Sequence, residues 1–234
     1  MRTTRAAVAA LAVAAALSLT GCGALFGGAS QAADGSDLPS VRDLYTTVRA
    51  TALAAESGHV TGFVTDGEES TTFDLEGRAD GSNQRAKVSR DAGGTLTMLT
   101  VKGKHYVSGD WDFWAAATEP STADRLVGTQ VRVPEARATA FSDLTLGGLL
   151  ADTFARETLS VVETFGSSVS VRHANDRDYW VLSWADTEVW VEPGTHRLLK
   201  VVRSTEEDPA ELTFDAWDDA ATFKAPSSSK VLKG

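Results

Sequence analysis

The sequence predicts an α+β protein, a single domain of about ten or eleven antiparallel strands curled around helices. Three observations predict it. Apolar and polar residues alternate with period two in two blocks, one on either side of residues 110–154. Tight-turn pairs such as Asp66-Gly67, Asp80-Gly81, Gly93-Gly94 and Lys102-Gly103 separate the alternating runs. A helical period occurs only ahead of the first block and between the two. A sheet of that many strands curls or splits, and its apolar side needs the cover that the helical segments provide.

Residues 1–21 have the layout of an export signal. Arg2 and Arg5 precede a run from Ala6 to Leu19 that is apolar or small apart from Ser18. A membrane-spanning helix needs about 20 apolar residues, and this run falls short of that. Leu19-Thr20-Gly21-Cys22 has the pattern of a bacterial lipobox, in which the cysteine thiol takes a diacylglycerol and the chain is cut just before it. Cys22 is the single cysteine, so no internal disulfide forms, and a bare thiol on an exported tail would be a liability. Acylation, palmitate included, would anchor the chain stably to the outer face of the cytoplasmic membrane, because two or three acyl chains hold where one does not. Residues 22–37, rich in Gly, Ala and Ser, then read as a flexible tether, and residues 38–234 as the domain.

The helix comes first in the domain. Ser40 caps it with Asp43 three residues on, and Val41, Leu44, Tyr45, Val48 and Ala52 share one apolar face; Gly58 follows its end. From Thr71 to Ala79 the period is two, with Phe73, Leu75, Gly77 and Ala79 on one side and Asp74, Glu76 and Arg78 on the other. Similar strands are predicted over His59–Thr65, Gln84–Arg90, Thr95–Val101 and His105–Ser108, with Leu96 and Met98 apolar on the third of these. The pattern breaks from Asp110 to Phe154, which reads as a cross-over or lid. It holds Trp111, Phe113 and Trp114, a helical turn at Ala123–Val127, and a short Leu-rich helix over Leu144–Leu150 containing Leu146, Leu149 and Leu150. Strands resume at Ser168–His173, Tyr179–Trp184, Thr187–Glu192, His196–Arg203 and Glu211–Ala216, and Trp180, Leu182 and Trp184 share one face of the second.

Catalytic and nucleotide-binding patterns are missing. No G-x-S-x-G elbow and no phosphate-cradling glycine motif occurs. His59, His105, His173 and His196 form no pair at metal-ligand spacing, so no metal and no cofactor are expected. The acidic clusters Glu68-Glu69, Glu206-Glu207-Asp208 and Asp218-Asp219 fall at turns, where solvation explains them. A formal charge of −10, which becomes −12 once Arg2 and Arg5 are cut away, argues against nucleic acid and against flat adsorption on anionic lipid.

Several segments together carry a family resemblance. They are the lipobox Cys22, the helix end "AAESGHVTGFVTDG", the strand "FDLEGRAD", and "VKGKHYVSGDWDFW", "LTLGGLLADT" and "AWDDAATFKAPSSSKV". The chain resembles the actinobacterial lipoproteins typified by LppX and LprG, whose half-barrel fold is shared with the lipoprotein carrier LolA. The resemblance implies an envelope lipoprotein, not an enzyme, that holds a lipid or glycolipid acyl chain in an apolar cavity and carries it across the envelope, with a membrane transporter or envelope protein as partner. The implied lining is Val41, Leu44, Tyr45 and Val48 from the helix; Phe73, Leu75, Gly77, Leu96 and Met98 from the first block; Trp111, Trp114, Leu146, Leu149 and Leu150 from the connection; and Trp180, Leu182 and Trp184 from the second block. An ordinary filled core meets the same apolar pattern. The rival functions are a non-catalytic scaffold that docks an envelope protein and, more distantly, an envelope hydrolase.

Overall fold

The computed structural model describes residues 38–91, 93–134, 144–154, 156–164, 166–227 and 231–233. The export signal, Cys22 and the tether lie outside the described residues. Helix α1 is Val41–Ala54, started by Ser40, whose hydroxyl accepts from the Asp43 amide at 3.1 Å. Leu44, Tyr45, Val48 and Ala52 bury one side of it, as the period requires.

A five-strand meander follows: β1 (Ser57–Asp66), β2 (Glu69–Arg78), β3 (Asn83–Arg90), β4 (Gly94–Val101) and β5 (Lys104–Gly109). The connection holds α2 (Trp111–Ala117), α3 (Pro120–Leu126), β6 (Gln130–Val133), α4 (Leu146–Thr153) and α5 (Arg156–Thr164). The second block is β7 (Ser168–Ala174), β8 (Arg177–Trp184), β9 (Thr187–Val191), β10 (Leu198–Arg203) and β11 (Ala210–Asp215), and β12 (Val231–Lys233) ends the chain. All twelve strands make one open sheet in the order β12-β6-β5-β4-β3-β2-β1-β11-β10-β9-β8-β7, antiparallel throughout except for β12 on β6. This is the antiparallel half-barrel over helices that the sequence predicts, with two more short strands than the pattern reveals. The two blocks join at one seam, where β1 pairs with β11.

Helices α2 and α5 were not predicted. Asp110 starts α2, its carboxylate accepting from the Phe113 amide at 2.9 Å while also accepting from Thr95 on β4 at 2.7 Å. One side chain thus both caps the helix and ties it to the sheet.

The helices split the concave side into two cores. Under β1, β2 and β8–β11, helices α1, α4 and α5 bury Leu44, Tyr45, Val48, Leu75, Leu146, Leu150, Leu182 and Trp184 in one cluster. Under β4 and β5, helices α2 and α3 make a smaller cluster of Met98, Val107, Trp114 and Ala123. Gly109 belongs to this second contact, since a Cβ there would collide with the Phe113 ring.

After β11 the chain crosses the lower rim of the sheet, the end where β1 begins. Trp217 stacks on Phe214 and donates its indole N–H to the Leu198 carbonyl at 2.8 Å. Ala221 donates to Glu76, and Asn83 holds both backbone groups of Phe223, accepting from its N–H at 2.8 Å and donating to its carbonyl at 2.9 Å. The Arg85 guanidinium lies 5.0 Å from the centre of the Phe223 ring.

Candidate functional site

The strand registers set the inward side chains in rows that cross the sheet. The lower row runs Gly58, Gly77, Gln84, Thr100, His105, Val133. The middle row runs Phe214, Val60, Leu75, Ala86, Met98, Val107, Val131. The upper row runs Leu182, Val189, Val201, Leu212, Gly62, Phe73, Val88, Leu96, Gly109.

The rows differ in how far they are covered. From Phe214 to Val107 the middle row is shut, no residue being more than 4% exposed. The upper row is shut beneath the larger helical cluster, at Leu182 and Val189, but half-open at Val201, Gly62, Phe73 and Leu96. Phe73 packs into neither core. It sits with Val88 between the two helical covers, and Val64, next inward on β1, is also half-buried. Covering this band removes apolar area from water, worth about 25 cal/mol per Å².

Gly62 breaks the band. Its φ is +152°, and a Cβ there would collide with the Glu211 carbonyl of β11, so the seam is closed by a residue without a side chain. Gly77 belongs to the cavity lining that the family resemblance implies. With φ +142° and Asn83 and Gln84 backbone against the missing Cβ, its smallness lets β2 and β3 approach closely, and it opens no space.

The other predicted residues divide clearly. Leu44, Tyr45, Val48, Leu75, Leu146, Leu150, Leu182 and Trp184 are buried in the larger core, with Val41, Leu149 and Trp180 partly buried against it. Met98 and Trp114 are buried in the smaller core, with Leu96 at its margin. They therefore do not share one lining. Trp111 is 47% exposed and donates to Asp124 at 2.9 Å, so it lies on the surface of the α2–α3 hairpin. Val64, Val88, Val201 and Leu212 were not singled out from the sequence, although alternation along their strands was the signal that marks them.

Polar groups on the concave side are few. Gln84 is 2% exposed; its amide donates to the Leu144 carbonyl at 2.7 Å, and its Oε1 has no partner among the described residues. Trp114 Nε1 is in the same position. Such a group costs about 1–3 kcal/mol when left unpaired. Burial pushes the Tyr45 hydroxyl pKa up, with Arg49 opposing. A recess of about 760 Å³ on the lower rim is lined by Glu56, Arg78, Lys102 and Asp218 among others, away from the apolar band. A void of about 10 Å³ beside Trp217 has room for at most one water. No cluster able to hold a metal occurs among the described residues, and no helix among them is long and apolar enough to cross a membrane.

Fold and face together define an open antiparallel half-barrel with an apolar, helix-flanked concave side. Among solved structures, the chain has the fold of LprF from Mycobacterium bovis, with a TM-score of 0.50 at 12% identity, covering 83% of this chain and 100% of that one. It is also similar to the lipoprotein LppX of Mycobacterium tuberculosis, with a TM-score of 0.46 at 11% identity over 78% of this chain and 97% of that one. An uncharacterized conserved protein of Thermus thermophilus aligns over 84% of this chain and all of that one, at 10% identity and a TM-score of 0.37. No protein-family model and no curated protein sequence matches the chain.

Proposed function

We propose that the protein is an envelope lipoprotein, anchored through Cys22, that binds the acyl chains of a lipid or glycolipid along the upper row of its concave face and carries them within the envelope. The half-open band in which Phe73 packs into neither core, with Val201 and Leu96 only partly buried at the margins of the two, is the observation that carries this reading. Each buried methylene of a ligand contributes about 0.8 kcal/mol, so an apolar band suffices without ion pairs or catalysis. In this reading the ligand lies above the filled middle row, with its chain across the strands, and the burial of that row supports it. The lipobox supports attachment to the membrane, and the LprF fold supports the architecture.

The test is organic extraction of the purified full-length protein followed by mass spectrometry. Lipid at about one molecule per chain is expected; a protein that stays empty after mixing with detergent-solubilised envelope lipid rejects the carrier reading. Anchoring is checked separately. Cys22→Ala is expected to abolish incorporation of labelled palmitate, and undiminished label would move the attachment elsewhere.

A further inference from the structure

We propose that the α2–α3 hairpin is the surface through which the protein meets a lipid bilayer, and that acyl chains cross it to reach the upper row. This rests on the carrier reading above. Trp111, which opens α2, and Val127, which follows α3, are 47% and 44% exposed, and they are two of the five exposed large hydrophobic residues in the described structure. The other tryptophans are buried or half-buried. The Trp111 N–H is already satisfied by Asp124 at 2.9 Å, so the ring can leave water without stranding a donor. Val127 is the residue that caps the C-terminal end of α3, three residues beyond Asp124.

The hairpin also adjoins the band. The upper row ends at Gly109, and the Phe113 ring lies directly over that glycine. Phe113 and Leu96 pack against the same small core, and Val88 and Phe73 follow Leu96 along the row. Apolar side chains therefore run from Phe113, two residues after Trp111 on α2, to the half-open Phe73 at the centre of the sheet. Residues 110–127 carry four acidic side chains, Asp110, Asp112, Glu119 and Asp124, and one basic one, Arg125. That balance fits a zwitterionic or uncharged lipid surface and repels an anionic one. An anchored chain needs only weak docking, because its tether keeps the membrane at high local concentration.

The experiment reconstitutes the full-length lipidated protein into phosphatidylcholine vesicles with brominated acyl chains and compares tryptophan quenching in the wild type and Trp111→Phe. Trp111→Phe is expected to lose a distinct quenched component, and exchanging part of the lipid for phosphatidylglycerol is expected to reduce that component. Equal quenching in the two proteins, or stronger quenching with anionic lipid, overturns the proposal. A second measurement follows uptake of a pyrene-labelled phosphatidylcholine. Trp111→Ser with Val127→Ser should slow uptake from vesicles about tenfold, as expected from removing apolar contact area, while leaving the amount bound after detergent loading unchanged. Unchanged uptake rates overturn the portal while the carrier reading stands. A wild type that stays empty after detergent loading rejects the carrier reading, and the Trp111 quenching then decides the docking surface alone.

Discussion

His59 sits on the convex side of β1 between two carboxylates, with Nδ1 2.9 Å from Asp215 on β11 and Nε2 3.1 Å from Asp74 on β2. Burial lowers its pKa, but the hydrogen bonds and charges of Asp215 and Asp74 outweigh this and hold it above the ordinary imidazole value. Glu76, directly opposite on β2, is paired with Arg85 at 3.1 Å. A raised pKa means that the protonated ring stabilises the fold fully below the unfolded-state value and that this contribution is lost as pH rises through the folded-state value. His59→Gln is therefore expected to lower the melting temperature most at pH 5, by about 2–4 °C for a loss of about 1 kcal/mol, and least at pH 9. Equal losses at the two values would remove the charge from the account. Phe73 and Leu75 give a second contrast, since they point the same way from one strand but only Leu75 lies in a filled core. Leu75→Ala should cost about 2–5 kcal/mol in denaturant unfolding, whereas Phe73→Glu should cost about 1 kcal/mol or less and abolish lipid retention. The reverse ranking of stability would place the opening elsewhere.

Among the elements, those whose signal is local were legible in the sequence. Ser40 with its helical period specifies α1, and the alternation in Thr71–Ala79 specifies β2 and its inward side. The three residues of β12 and the four of β6 are too few for alternation to register, and they exist because each finds a neighbouring strand. Helix α2 was hidden because Trp111, Phe113 and Trp114 read as an aromatic cluster; the Asp110 cap was the missed signal. Inward faces could be read from the alternation, but the division into two cores could not. That division depends on where α2 and α3 land, and Asp110 fixes this by a bond to Thr95. Trp111 was misplaced for a related reason, because its i, i+3 spacing to Trp114 implies a shared face and the ring instead turns outward to Asp124. The C-terminal strap leaves little trace in any period, yet Trp217 pins it. Trp217→Ala removes a stacked, 7%-exposed indole and its bond to Leu198, and should cost about 3–5 kcal/mol in equilibrium unfolding. A loss below about 1 kcal/mol would show that the strap is a passive tail.

At the scale of the whole molecule, ligand and stability are linked. A lipid that binds only the folded half-barrel raises its melting temperature, by about 2.7 kcal/mol of stabilisation at a hundredfold excess over Kd. The seam between β1 and β11 has a further consequence, for the time before the fold exists. His59 and Asp215, which meet across it, are 156 residues apart in the chain, while most other neighbouring strands are joined by short turns. A chain that emerges N-terminus first can assemble β1 to β5 early, but the central pairing waits until nearly the last residues have appeared. During that interval β1 is an unpaired edge, open to the wrong neighbour. The seam that completes the sheet thus closes last, and the larger core, which takes Leu212 and Phe214 from β11, stays unfilled until that strand arrives.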